Sequence, residues 1–142
     1  MPRCIVVDTN VFIAAILSPA GGNREVLRAC LRGQAKPLMG IALFHEYEDL
    51  LGRPDLMAKS PLPAKDRTSL FNAFLSVAEW IKVYYLWRPN LPDRSDDHLI
   101  ELALAGCAET IVTNNLKDFR NGELRFPELL IQSPTQFLNT LP

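Results

Sequence analysis

The strongest constraint on this chain is an abrupt hand-over near its start. The apolar run Cys4-Ile-Val-Val7 meets Asp8-Thr-Asn10, and a second apolar run, Val11 to Leu17, begins at once. β-branched residues dominate the first run, and such side chains pack well on a pleated surface. Continuous rather than alternating apolar character predicts a strand buried on both faces, as in a parallel sheet. The second run predicts a helix. Asp8 therefore stands where a strand passes to a helix, and in an open parallel sheet that edge is the crevice where ligands bind. The same place suits a helix cap, so Asp8, Thr9 and Asn10 each also admit a purely structural reading.

The hand-over recurs along the chain. Asn23 is expected to cap a helix from Arg24 to Leu31, with Gly33 ending it. Lys36 to Ile41 predicts a second strand, and Ala42 to Leu51 a helix with Leu43, Phe44, Tyr47, Leu50 and Leu51 at helical spacing. Residues 53–64 form a Pro-rich connection with room for one helical turn. A long helix is expected from Ala64 to Trp80, a third strand from Ile81 to Leu86, and a helix from Asp97 to Gly106 opened by Ser95 or Asp96. Glu109 to Thr113 predicts a fourth strand, Asn114 to Glu123 a polar loop, Leu129 to Gln132 a fifth strand, and Ser133-Pro134 the start of a last helix. This alternation specifies an α/β fold in three layers, α/β/α: a central parallel sheet of about five strands with helices on both faces, joined by right-handed crossovers.

A length of 142 residues fits one domain, residues 1–142, and such a chain buries about 68–70% of its extended surface. Its apolar runs are too short to span a bilayer, and no secretory signal is apparent. Cys4, Cys30 and Cys107 are odd in number and scattered among apolar neighbours, so buried free thiols in the cytoplasm are expected rather than disulfides or a zinc site. A net charge of −1 gives no general attraction to nucleic acid. Residues 1–40, however, carry a net +3, and Arg24, Arg28 and Arg32 lie four apart, in one stripe of a helix. That stripe reads either as a solvated face or as a contact for a phosphate backbone.

The acids follow the strands. Asp8 follows the first and Glu46 lies in the helix after the second. Asp93, Asp96 and Asp97 follow the third, and Asn115 and Asp118 the fourth. A parallel sheet brings all of these to one edge. Two carboxylates about 5 Å apart repel by about 3 kcal/mol at an effective dielectric of 20. Proteins relieve such a cluster by protonation or by binding a cation. Oxygen ligands without His or Cys suit Mg²⁺ or Mn²⁺. A cation so held suits hydrolysis of a phosphodiester by an activated water. A Gly-rich phosphate loop and a nucleophile elbow are both missing from the sequence. His45 and His98 are expected in surface or core roles, and Trp80 and Trp87 at the core or an edge rather than as stacking platforms.

Four segments in order, Ile5 to Val11, Phe44 to Pro54, Asp93 to Asp97 and Ile111 to Phe119, resemble the PIN-domain family. Within that family they are similar to the branch of VapC-like ribonucleases, toxin components of toxin–antitoxin pairs. The resemblance extends over essentially the whole chain, to Ser133–Leu138. It implies a PIN-like fold and a Mg²⁺- or Mn²⁺-dependent endoribonuclease acting on RNA, with a small antitoxin partner and a homodimeric state. By position, it implies Asp8 as central metal ligand, Glu46 as the acid from the second helix, Asp96 rather than Asp97 as the next metal ligand, and Asp118 as the fourth acid. Asn10, Asp93, Thr113 and Asn115 would support them. The sequence departs from many relatives at Asn115, where they carry Asp, at Asp97, where they carry Asn, and near Gly40, where some carry Ser or Thr.

Two other classes compete. One is a PIN-like RNA-binding or regulatory module that keeps the acids and catalyses weakly. The other is a phosphoacceptor receiver-like domain, which would want an Asp after the third strand and a Lys after the last; no such Lys follows the fifth strand.

Overall fold

The structure, a computed structural model, describes residues 3–18, 21–83, 97–120, 126 and 128–142. The expected loop at Pro89–Pro92, together with Asp93, Ser95 and Asp96, lies outside them.

β1 (Arg3–Val7) is the centre of a five-stranded parallel sheet with β2 (Ala35–Met39), β3 (Glu79–Trp80), β4 (Thr110–Val112) and β5 (Leu130–Gln132). The order is β3-β2-β1-β4-β5. Ile5 pairs with Pro37 on one side and Thr110 on the other. Ile5, Val6 and Val7 are completely buried, as the continuous apolar run requires of a central strand. Pro37 cannot donate to a ladder, and β3 joins β2 only beyond it, at Leu38 and Met39.

α1 (Thr9–Leu17) and α2 (Gly22–Leu31) link β1 to β2, and α3 (Ile41–Leu51), α4 (Pro54–Met57) and α5 (Ala64–Val77) link β2 to β3. α6 (Asp97–Ala105) returns from β3 to β4, packing across β2, β1 and β4, before α7 (Leu116–Arg120) leads to β5 and α8 (Pro134–Leu138) closes the order. The first two crossovers step one way from β1 and the next two step the other way. Right-handed connections therefore put α1 to α5 on one face and α6 and α7 on the opposite one. The direction changes between β1 and β4, and the switch point lies at their carboxyl ends.

On the α1–α5 face, Phe12 meets Tyr47 edge to face at 5.4 Å and also touches Phe71 and Phe74. The Tyr47 hydroxyl, fully buried, donates to the carbonyl of Val7 at 2.7 Å. That bond ties α3 to the last residue of β1, directly before Asp8.

Several expectations need correction. Gly21, at φ +113°, takes the N-cap of α2 in place of Asn23, because only glycine enters that region freely. α5 stops at Val77, and the third strand is Glu79–Trp80. Of the expected strand Ile81–Leu86, Ile81 to Val83 are not strand, though Ile81 donates its N–H to the Met39 carbonyl, and Tyr84 to Leu86 lie outside the described residues, as does Trp87. The loop expected after β4 contains α7. Cys107 is exposed at φ +54°, whereas Cys30 is buried and Cys4 half-buried; all three thiols are free. No helix among the described residues is long and apolar enough to cross a membrane.

Candidate active site

Asp8 is the N-cap of α1, yet its side chain makes no capping hydrogen bond. It turns instead across the switch point. Asp8 Oδ2 accepts from Thr113 Oγ1 at 2.8 Å and from Asn10 Nδ2 at 3.2 Å. The two strand ends are also joined by the Asp8 N–H, which donates to the Val112 carbonyl at 3.0 Å. Burial pushes the Asp8 carboxyl above its usual range. The Thr113 hydrogen bond opposes that rise, and the negative charge of Glu46 adds to it.

Glu46 reaches the same place from α3. Thr9 Oγ1 lies 3.0 Å from Glu46 Oε1 and 3.4 Å from Asp8 Oδ1. One hydroxyl proton cannot serve both carboxylates, so the pair retains a repulsion that no protein donor at Thr9 cancels. The other Glu46 oxygen lies 2.7 Å from His98 Nε2. His98 therefore joins the site, against the expectation of a surface or core role. Its signal in the sequence was its place beside Asp97 at the mouth of a helix following a strand. His45 stays outside, exposed and 3.4 Å from Glu48.

The β4 end extends the network. Thr113 Oγ1 accepts from the Asn115 N–H at 3.0 Å, and the Asn115 side-chain amide donates to Asp118. Asn10 Oδ1 accepts from the Asn114 N–H at 3.1 Å, and Asn114 Nδ2 donates to Asn23 at 2.8 Å. A continuous path thus runs His98–Glu46–Thr9–Asp8–Thr113–Asn115–Asp118. It brings together Asp8, Glu46, Asn10, Thr113, Asn115 and Asp118 of the expected residues.

The rest fall elsewhere. Asp96 and Asp93 lie outside the described residues. Asp97, ranked below Asp96 from the sequence, is fully buried at the first turn of α6, next to His98. The arginines divide. The Arg24 guanidinium donates to the Ala15 carbonyl at 3.0 Å, near the end of α1, and Arg28 pairs with Glu25. Helix α2 starts near Asn114 and runs back toward β2, so a rise of about 1.5 Å per residue carries Arg28 and Arg32 progressively away from the acids.

Among the described residues, no three Asp, Glu, His or Cys side chains gather as a ready cation cage. The groups that do converge are mainly carboxylate and hydroxyl oxygens, and the like charge of Asp8 and Glu46 is only partly offset by the donors on Asp8 and by His98. That donor chemistry fits a hard divalent cation.

A parallel three-layer sheet with an acidic, oxygen-lined crevice at its switch point defines the class: an α/β/α domain with a candidate cation site between β1 and β4. The sequence matches the PIN domain over residues 4–117, and the chain belongs to that family. The fold is similar to a chain in the crystal structure of VapBC2 from Rickettsia felis bound to a DNA fragment from their promoter. The TM-score is 0.57 at 19% identity, over 92% of this chain and 98% of that one. At that identity the likeness speaks for the fold alone. No curated protein matches the sequence.

Proposed function

We propose that the chain is a divalent-metal-dependent endoribonuclease that hydrolyses RNA phosphodiester bonds. The observation that carries this reading is the convergence of Asp8 and Glu46 on one hydroxyl, with Asp118 tied to Asp8 through Thr113 and Asn115. Asp8, Asp118 and an acid at the mouth of α6 would hold Mg²⁺ or Mn²⁺, which when bound neutralises phosphate charge and makes a water acidic. The burial of Asp97 makes it a rival to Asp96 for that third position. Thr113 and Asn10 fix the direction of the Asp8 carboxylate. Glu46, held through both oxygens by Thr9 and His98, is the group placed to take a proton from a nearby water.

The test uses the purified full chain, a labelled RNA and Mn²⁺. Wild type should cleave, Asp8→Asn should lose about 100-fold or more, the scale of losing a principal catalytic group, and chelation should abolish cleavage. Equal cleavage by Asp8→Asn would reject the site. Asp96→Asn and Asp97→Asn, assayed separately, identify which acid supplies the third ligand.

A toxin role with a small antitoxin partner and a homodimeric state completes the reading. The PIN family assignment and the fold shared with a chain of the VapBC2 complex support the toxin role and its partner, and the homodimeric state rests on the family resemblance alone. A short reading frame next to this gene whose product silences the activity would support the partner. Light scattering at micromolar concentration measures the dimer.

A further inference from the structure

Beside the acids, on the same edge of the sheet, lies a solvent-open pocket of about 630 Å³. Gly40 and Ala42 at the start of α3, Trp80 and Ile81 at the end of β3, and Leu102 of α6 line it. Its size and mostly apolar walls with a few polar groups are those of a small-molecule site. Gly40 keeps it open: a Cβ there would sit 3.2 Å from Leu102 Cδ1. Trp80 is 51% exposed although its ring also packs on Phe44, with centroids 5.4 Å apart. A large aromatic is thus held in place with one part still bare.

His98 belongs to both the pocket and the acid site. Its Nε2 is bonded to Glu46, and its Nδ1 is buried with no hydrogen-bond partner among the described residues. The imidazole thus forms a wall common to the pocket and the acid site. Glu101 and the exposed Lys82 add polar character to the lining. His98, Glu46, Thr9 and Asp8 are linked by contacts of 2.7, 3.0 and 3.4 Å, so the pocket stands next to the acids.

We propose that this pocket is a nucleobase subsite, holding one unstacked base of the RNA strand beside the phosphate at Asp8. Trp80 and the apolar lining cover the base, and His98 forms the wall it shares with the acids. Lys82 lies at hand for a neighbouring phosphate. Bases splayed out of single-stranded RNA are held in this way, by aromatic faces and polar groups at their edges. A base is favoured over a peptide side chain because the pocket shares His98 with the acids, which places it beside whatever phosphate they hold. The inference rests on the nuclease reading only for the identity of the strand; base binding itself needs no cleavage.

The test is done on the metal-free full chain by amide and indole N–H NMR, titrating adenosine, guanosine, cytidine and uridine separately. At least one nucleoside should give saturable shifts at the Gly40 amide and the Trp80 indole. Ala42→Phe, an exposed substitution that fills the pocket, should weaken them tenfold or more; Ala42→Leu repeats the test if the larger ring lowers the melting temperature. Saturable shifts for no nucleoside, equal shifts in the filled variants, or shifts produced only by an apolar peptide would each overturn the proposal. With Mn²⁺ and a mixed-sequence RNA, Ala42→Phe should flatten the base preference at one position flanking the cut, and an unchanged preference counts against the subsite. If wild type cleaves no RNA, the nuclease reading fails while the nucleoside shifts still decide the pocket.

Discussion

Thr113 Oγ1 donates to Asp8 Oδ2 over 2.8 Å, and this bond joins the carboxyl ends of β4 and β1, the two strands between which the direction of winding reverses. The same hydroxyl accepts from Asn115, whose side chain holds Asp118. One oxygen therefore orients acids that lie 110 residues apart in sequence, and nothing local could have done so.

Thr113→Val should separate this orienting role from simple packing. It keeps the shape, deletes the donor to Asp8 and leaves the Asn115 N–H without its acceptor. Divalent-ion affinity should fall about 10–100-fold, the usual cost of losing a group that orients a ligand. Thr113→Ser should restore most of it. Titration calorimetry with Mn²⁺ measures both, and equal affinities for all three proteins would contradict the assignment.

Asp8→Asn should stabilise the metal-free protein near neutral pH. The folded carboxyl binds its proton more tightly than the unfolded one, because burial and Glu46 disfavour the anion. Wild type is therefore most favoured below the ordinary Asp range, near pH 4, and loses that contribution as pH rises through the raised folded value. The expected gain for Asp8→Asn at pH 7.5 in chelator is about 2–4 °C, the shift produced by 1 kcal/mol in a chain of this length. The gain should shrink toward pH 4. A melting temperature of the variant below that of wild type at pH 7.5 would refute the sign.

Tyr47→Phe removes one hydroxyl and leaves the buried Val7 carbonyl without that donor. A loss of about 1–2 kcal/mol is expected by urea unfolding. Tyr47→Ala, which also opens a cavity among Phe12, Phe71 and Phe74, should cost about 3–5 kcal/mol. Indistinguishable losses for the two variants would mean that ring packing contributes little here.

Gly106→Ala tests the seat of α6 on the sheet. The added Cβ would run into Leu38 Cδ1 and lie 3.1 Å from Ile81 Cγ1, and Leu38 is fully buried. Overpacking of this kind costs about 1–3 kcal/mol. Denaturant unfolding reads it directly, and a neutral result would show that α6 shifts freely.

Arg24→Ala should lower stability by about 1 kcal/mol through loss of its bond to the Ala15 carbonyl. Arg32→Ala should leave stability within about 0.5 kcal/mol, since its side chain is exposed. If Arg28 and Arg32 touch RNA, each alanine substitution should reduce the salt slope of binding to a single strand by about 0.7. An unchanged slope assigns the stripe to a solvated helix face.

The sequence alone determined the strand at Cys4–Val7, which the structure extends to Arg3, the helix after it and the alternation that demands a parallel sheet, because hydrophobic period and β-branching are local properties. Ser133-Pro134 likewise marked the start of the last helix, which the structure closes with a capping box between Ser133 and Gln136. Local pattern served less well where the tertiary structure competes. Glu79–Trp80 pairs with β2 although Ile81 to Leu86 has the stronger β composition, because the residues reaching Leu38 and Met39 are set by the length of α5. The acids could be counted from the chain, yet which way each carboxylate turns is fixed by hydrogen bonds between residues 37 to 105 positions apart. His98 shows this most plainly. A lone histidine on a helix has no sequence signature for a partner 52 residues away, and only the packing of α6 beside α3 brings it to Glu46.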